Sequence, residues 1–337
     1  MKAVRVVEGN RQFVSQEIKR PALPAGAVRV RIQAAFLPPY FEHLPSGSWQ
    51  TPPRPFTPGQ CAVGVVEETA DPDCPLRRGQ AVYCDMYIEG PGPQADHGFI
   101  GCFGLAPAAR RHLAKWPNGT FAEEFVGPEH CFTPIPANVR TPPEILCRLG
   151  WFATALAGFR RGDFKPGEVV AINGAAGLLG TSAAVIALAI GAGQVRLVGR
   201  RTSVLQQLAA LDSRIVVEEP DDRSPVDFVL DCSGGENAAI SVALSERLRR
   251  FGTIVFVGAL TERAAFNTSL LMRNSNRVVG SFWFPHGLAA DVLALIAAGT
   301  IDLSPFRADI FNTDQILAAM EHSVDHSGGL FHVALKP

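Results

Sequence analysis

Apolar and polar positions follow two rhythms along this chain of 337 residues. The first runs to about residue 135. Residues 4–7, 13–18, 28–35, 61–68, 80–84, 121–125 and 130–135 alternate apolar with polar or form short apolar runs, and read as strands. Pro21 and Pro24-Ala25-Gly26 supply a turn between them. The second rhythm begins where Pro142, Pro143 and Glu144 read as a helix start. Helices predicted over 145–159, 178–190, 204–210 and 238–248 then alternate with strands over 168–173, 195–198, 214–217, 226–230, 253–257 and 277–284. The tail carries helices over 288–298 and 313–323 and a strand over 330–335. Strands followed by strand–helix alternation predict an α/β protein in two parts, the first of them strand-rich. The length also exceeds what one ordinary core accommodates.

Two stretches break both rhythms. Residues 36–60 hold seven prolines, so neither a helix nor a central strand is expected there. A stiff aromatic loop of this kind suits a pocket wall or a packed surface. Residues 85–120 read as irregular, with Gly90, Pro91, Gly92 and Pro93 in succession.

The most informative stretch is 168–201. A β-branched run ends at Asn173, Gly174, Gly177 and Gly180 follow, and an apolar helix is predicted from Leu178. Strand, glycine turn, helix and strand make one βαβ unit. Such glycines let the backbone approach a pyrophosphate, and the new helix presents unpaired N–H groups to it. The spacing is G-x-x-G-x-x-G, so the context carries the reading. At the end of the second strand, Val198-Gly199-Arg200-Arg201 lacks the acidic residue that binds ribose hydroxyls. Arg200 and Arg201 can instead pair with a 2′-phosphate, so NADPH is expected over NADH.

Composition narrows the function classes. A net charge of −1 argues against nucleic-acid or membrane-surface partners. No apolar run is long enough to span a bilayer, and the start, MKAVRVVEG, lacks a signal core. The seven cysteines form no C-x-x-C pair, so free thiols and a cytoplasmic location are expected.

With these residues in hand the whole chain resembles the medium-chain dehydrogenase/reductase superfamily, which includes zinc alcohol dehydrogenases and zinc-independent quinone and enoyl reductases. MKAVRV, Gly59 with Gly64-Val65-Val66, Gly119-Thr120-Phe121-Ala122-Glu123, Pro134-Ile135-Pro136, Thr154-Ala155 and Pro166-Gly167-Glu168 carry the resemblance in order. It implies a β-rich GroES-like catalytic domain over 1–137 completed by 285–337, a Rossmann domain with a doubly wound parallel sheet over 138–284, and a cleft between them for the nicotinamide. It also implies a dimer or tetramer paired through the strand near 277–284, and a homodimer is expected.

Departures from the family pattern matter as much. The positions of its catalytic zinc ligands are Pro38, Gln60 and Trp151 here, and Cys61 replaces the glutamate beside the second. Proline and tryptophan give zinc no lone pair and glutamine is a poor ligand. Residues 84–117 hold only Cys84 and Cys102 where a structural zinc needs four cysteines. No zinc of either kind is therefore expected; a site rebuilt from Cys61, His43 and His97 is the remaining metal option. The family's proton relay falls on Tyr40 and His43, expected here as catalytic donors.

By the same resemblance Thr154, Gly174, Ala176, Gly177, Leu178, Gly180, Gly199, Arg200, Arg201, Cys232, Ser233, Val257, Gly258 and Ala259 are expected to contact the cofactor. Phe36, Trp49, Trp151, Phe282 and Trp283, with Phe284, are expected to line a hydrophobic substrate pocket. The expected activity is zinc-independent, NADPH-dependent hydride transfer to a hydrophobic enone, enal or quinone. Metal-free ketone or aldehyde reduction, or alcohol oxidation, through Tyr40 and His43 is the alternative. A non-catalytic NADPH-binding protein is the reading from another class.

Overall fold

The computed structural model describes residues 1–89, 97–219, 221–236 and 238–337, so the Gly90–Pro93 run lies outside the described residues. The chain forms two compact units. One comprises Met1–Leu149, Phe306–Ser327 and Phe331–Pro337, and the other Gly150–Pro305 and Gly328–Leu330. The divisions fall beyond 137/138 and 284/285. The helix Pro143–Leu146 packs on three strands of the first unit. In the second, the helix Leu288–Ala297 buries Leu288, Ala289, Val292 and Leu293 and ties Asp291 to Arg160.

The first unit is built on a seven-stranded sheet. Its longest strand, Ala27–Leu37, pairs antiparallel along one edge with Ala62–Thr69. Along the other edge its beginning pairs with Glu124–Pro128 and its end with Phe331–Lys336. The C-terminal strand thus completes a sheet begun at the N-terminus. Buried Val28, Val30, Ile32 and Phe36 give the strand an apolar face.

The second unit is a six-stranded parallel sheet. In chain order its strands are β1 (Val169–Asn173), β2 (Gln194–Val198), β3 (Ile215–Val217), β4 (Val226–Asp231), β5 (Leu248–Phe256) and β6 (Arg277–Gly280). They lie in the order β3-β2-β1-β4-β5-β6. The order reverses beside β1, the topological switch point where open sheets of this kind bind ligands. Ala171, Val226, Val229 and Ile254 have essentially no exposed surface and form the core with Leu244 and Leu248. Such burial on both faces is why these strands read as continuous apolar runs.

Several expectations need correction. Residues 36–60 are not wholly irregular, because Pro39–Ser46 forms a 3-10 helix with a proline in its first turn. The stretch 85–120 contains the helix Arg110–Lys115 and two-residue strands at Tyr87–Ile88 and Gly98–Phe99. The predicted helix 145–159 is two helices, Pro143–Leu146 and Leu149–Arg161. The predicted helix 238–248 ends at Ser245, and Leu248 already belongs to β5. The predicted strand 277–284 ends at Gly280. Among the described residues, no helix is long and apolar enough to cross a membrane.

Candidate functional site

The turn after β1 is built by its glycines. Gly174 has φ of +73°, and a Cβ on it would lie 2.9 Å from the Ser233 amide nitrogen. A Cβ on Gly180 would lie 2.6 Å from the Ala175 Cα. Only glycine permits these approaches between the turn, the following helix and the end of β4. The helix α1 (Leu178–Ala189) starts after Gly177, which caps it in an extended conformation without any side-chain hydrogen bond. Gly177 therefore leaves the first-turn N–H groups without a cap from its own side chain.

A cavity of about 510 Å³ opens at this turn. Of the expected cofactor contacts, Gly174, Ala176, Gly177, Gly199, Arg200, Arg201, Cys232 and Ser233 line it. Leu178, Gly180, Thr154, Val257, Gly258 and Ala259 are not among its lining residues. Gly180 is buried behind the turn, and the Thr154 hydroxyl donates within its own helix to Gly150 O at 2.7 Å. Gly258 brings β5 against β4, since a Cβ there would lie 2.7 Å from the Ser233 nitrogen.

The two arginines differ. Arg201 donates to Ala176 O, and its guanidinium lies against Gly328. Arg200 is exposed and lines the cavity, and its guanidinium makes no hydrogen bond among the described residues. An anion in the cavity thus meets one uncommitted guanidinium, and no acidic side chain is among the lining residues.

The sequence reading missed Asn173, Gly234 and Ile240 as lining residues, and Asp231 beneath them. The fully buried Asp231 carboxylate accepts from Ser233 N at 2.9 Å, Ser233 Oγ at 2.7 Å, Asn173 Nδ2 at 3.1 Å and Ser241 Oγ. Asp-x-Ser in the turn after β4 was the available signal, because Asp there can bond the backbone two residues on. Desolvation first, and the Asp231 charge second, hold the Cys232 thiol well above its ordinary range. Cys232 is therefore a neutral thiol at neutral pH.

In the first unit Tyr40 sits on the Pro39–Ser46 helix. Its hydroxyl donates to Gln60 Oε1 at 2.8 Å. Burial, more than the nearby Cys102 and Cys61, raises its pKa well above 10. Trp49 forms an aromatic wall beside it, with ring centroids 6.1 Å from Tyr40 and 5.0 Å from Phe103. His43 is 58% exposed, touches the Trp49 ring and faces Glu42 at 3.7 Å. It makes no hydrogen bond to Tyr40 among the described residues, so the expected Tyr40–His43 relay is not a direct one.

Expected pocket residues are scattered. Phe36 has no exposed surface and packs its ring 5.2 Å from His332 inside the first unit, so it belongs to that core. In the second unit Trp151 meets Trp283 edge-on at 6.3 Å, and Trp283 stacks on Phe284 at 5.0 Å. Arg161 donates to Ser281 Oγ and to the carbonyls of Phe282 and Trp283, which holds this segment beyond β6. Phe282 itself is 44% exposed.

The residues present do not fit a catalytic zinc. Pro38 and the indole of Trp151 offer no ligand, and Gln60 Oε1 is occupied by Tyr40. Among the described residues no group of three His, Cys, Asp or Glu is placed to hold a metal, and this covers Cys61, His43 and His97.

Comparison with known proteins agrees with the two-unit fold. The alcohol dehydrogenase GroES-like domain family matches residues 24–137. An alcohol dehydrogenase of Geobacillus stearothermophilus is 29% identical over 278 residues, 77% of each chain. A quinone oxidoreductase of Mus musculus is 22% identical over 274 residues, 77% of this chain and 73% of that one. A structure from Sinorhizobium meliloti 1021, described as a zinc-binding dehydrogenase bound to NADP, superimposes with a TM-score of 0.83 at 22% identity. That superposition covers 100% of this chain and 99% of the other.

Proposed function

Because the chain belongs to the medium-chain dehydrogenase/reductase superfamily, a group of oxidoreductases, we propose that it is an NADPH-dependent reductase that works without zinc on a hydrophobic conjugated enone, enal or quinone. The observation that carries this reading is the glycine-turn cavity, which offers α1's first N–H groups and the uncommitted Arg200 but no acidic lining residue.

NADPH supplies the hydride when bound. Gly174 and Gly177 keep the cavity floor flat enough for backbone N–H groups to approach a pyrophosphate, and Gly180 lets the helix pack against the turn. Arg200 pairs with the 2′-phosphate, and Gly199 leaves room for it. Asp231 fixes Ser233 at the edge of the cavity through two hydrogen bonds. Around Tyr40, Trp49 and Phe103 supply apolar surface for an unsaturated substrate.

The acceptor class follows from the chemistry that Tyr40 and Gln60 can perform. Direct ketone reduction needs a proton delivered to oxygen, and the Tyr40–His43 route is not directly hydrogen-bonded. A conjugated acceptor needs only hydrogen bonding at its oxygen while solvent protonates carbon. The relatives named above include a quinone oxidoreductase, which fits this branch.

The test uses chelator-treated protein and NADPH with 2-cyclohexen-1-one and, separately, cyclohexanone. NADPH consumption with the enone alone is expected. Consumption with the ketone alone, or activity that appears only on adding zinc, would overturn the reading. The protein is also proposed to pair with a second copy through β6, an edge strand that leaves Val278 44% exposed. Light scattering at the mass of a monomer would refute this.

A further inference from the structure

The Tyr40 hydroxyl owns one proton and donates it to Gln60 Oε1. The side chain expected from sequence to serve the substrate's oxygen is therefore already committed as a donor. Gln60 is the better placed group. It is only 1% exposed, and its backbone carbonyl accepts from Thr120 Oγ1 at 3.1 Å. The preceding Gly59 has φ of +134°, and a Cβ on it would lie 2.6 Å from the Phe121 nitrogen. Backbone and side chain of Gln60 are thus both fixed. Yet its amide nitrogen, with two N–H donors, makes no hydrogen bond among the described residues. A buried amide with its oxygen satisfied and its nitrogen open is a directed donor without a recipient.

We propose that Gln60 Nε2 is the catalytic hydrogen-bond donor that receives the acceptor's oxygen as negative charge develops on it, a role that rests on the oxidoreductase reading above. Tyr40 is the positioning residue. By donating to Oε1 it orients the amide plane and polarises the N–H groups. In enone reduction the hydride pair from NADPH forms the new bond at the β-carbon. The C=C pair then shifts toward the carbonyl to give an enolate. Gln60 hydrogen-bonds the enolate oxygen and surrenders no proton, and a solvent proton adds at the α-carbon. NADPH, enone and one proton thereby become NADP+ and ketone.

Gln60→Glu keeps an oxygen for Tyr40 and removes the donor. With 2-cyclohexen-1-one, kcat is expected to fall on the order of 10²-fold with little change in KM. Activity should recover partly as pH falls and the new carboxyl regains a proton. Gln60→Met should show the same loss with no such recovery, and Tyr40→Phe a loss of only about 10-fold. A large loss in Tyr40→Phe with near-normal Gln60 variants would overturn the proposal and make Tyr40 the donor. If the wild type reduces no acceptor at all, the functional reading fails. Gln60 is then judged by infrared spectra of carbonyl-13C 2-cyclohexen-1-one bound in the presence of NADP+. A downshifted carbonyl stretch that Gln60→Met abolishes supports the donor, and an identical stretch in both proteins refutes it.

Discussion

Arg201 donates to the carbonyl of Ala176, so one of the two adjacent arginines at the end of β2 braces the glycine turn from within. Gly329 N donates to the same carbonyl at 2.9 Å, which fastens a returning piece of the tail to that turn. The Arg200 guanidinium is left at the cavity without a hydrogen bond among the described residues. Arg200→Ala is therefore expected to weaken NADPH binding by about 10- to 100-fold and leave NADH nearly unchanged. Arg201→Ala should weaken both together. Fluorescence titrations of the two cofactors against both variants check this, and equal losses in the two variants would contradict it.

Gly180 tests the turn itself. Alanine there would drive its Cβ into Ala175, so Gly180→Ala should destabilise the fold by about 1–3 kcal/mol and lower NADPH affinity. Urea unfolding and cofactor titration of the same preparation measure both effects. Gly167→Ala is not a control for space, because Gly167 has φ of +89° despite open surroundings.

Asp231 tests the floor beneath the cavity. Asparagine would turn an N–H donor toward a ring of donors. Asp231→Asn is expected to cost about 2–4 kcal/mol in urea unfolding. It should also loosen NADPH binding, since Ser233 loses its anchor.

Acid sensitivity should come from His332. Its Nε2 bonds Glu144 O at 2.8 Å, and burial, then the nearby Arg148 charge, lower its pKa to about 3. The folded state thus prefers the neutral ring, while the unfolded chain takes up a proton below about 6.5. Stability is unaffected above that value. Below it, stability falls by roughly 1.4 kcal/mol per pH unit, until the pH nears the folded value. Urea unfolding between pH 7 and 4.5 should show a steeper decline for the wild type than for His332→Gln.

The parallel-sheet unit was more legible in the sequence than the first unit, for a physical reason. Strands β1 and β4 and the second half of β5 are buried on both faces, and glycine marks the turn that needs it. Their apolar runs and punctuation are therefore local signals. The helix at Arg110–Lys115 was missed because only Leu113 within it is buried, which leaves no periodic apolar face. The strand Arg307–Asn312 was missed because it is an edge strand with mostly exposed positions. The break at Cys147 and Arg148 was hidden because both are fully buried where helical periodicity continues. At the site, residue types pointed to Tyr40 and to Arg200. They did not reveal that Arg201 turns inward, that Phe36 is core, or that Gln60 accepts the Tyr40 hydrogen bond. Those depend on partners 20 or more residues away.

The most direct measurement follows the hydride. NADPH deuterated at the transferring carbon is given to the chelator-treated protein with 2-cyclohexen-1-one, and the product is examined by mass spectrometry and NMR. Deuterium at the β-carbon of cyclohexanone is the expected result. Deuterium on a carbinol carbon, with the double bond intact, would contradict conjugate reduction, and product without deuterium would contradict hydride transfer from the cofactor.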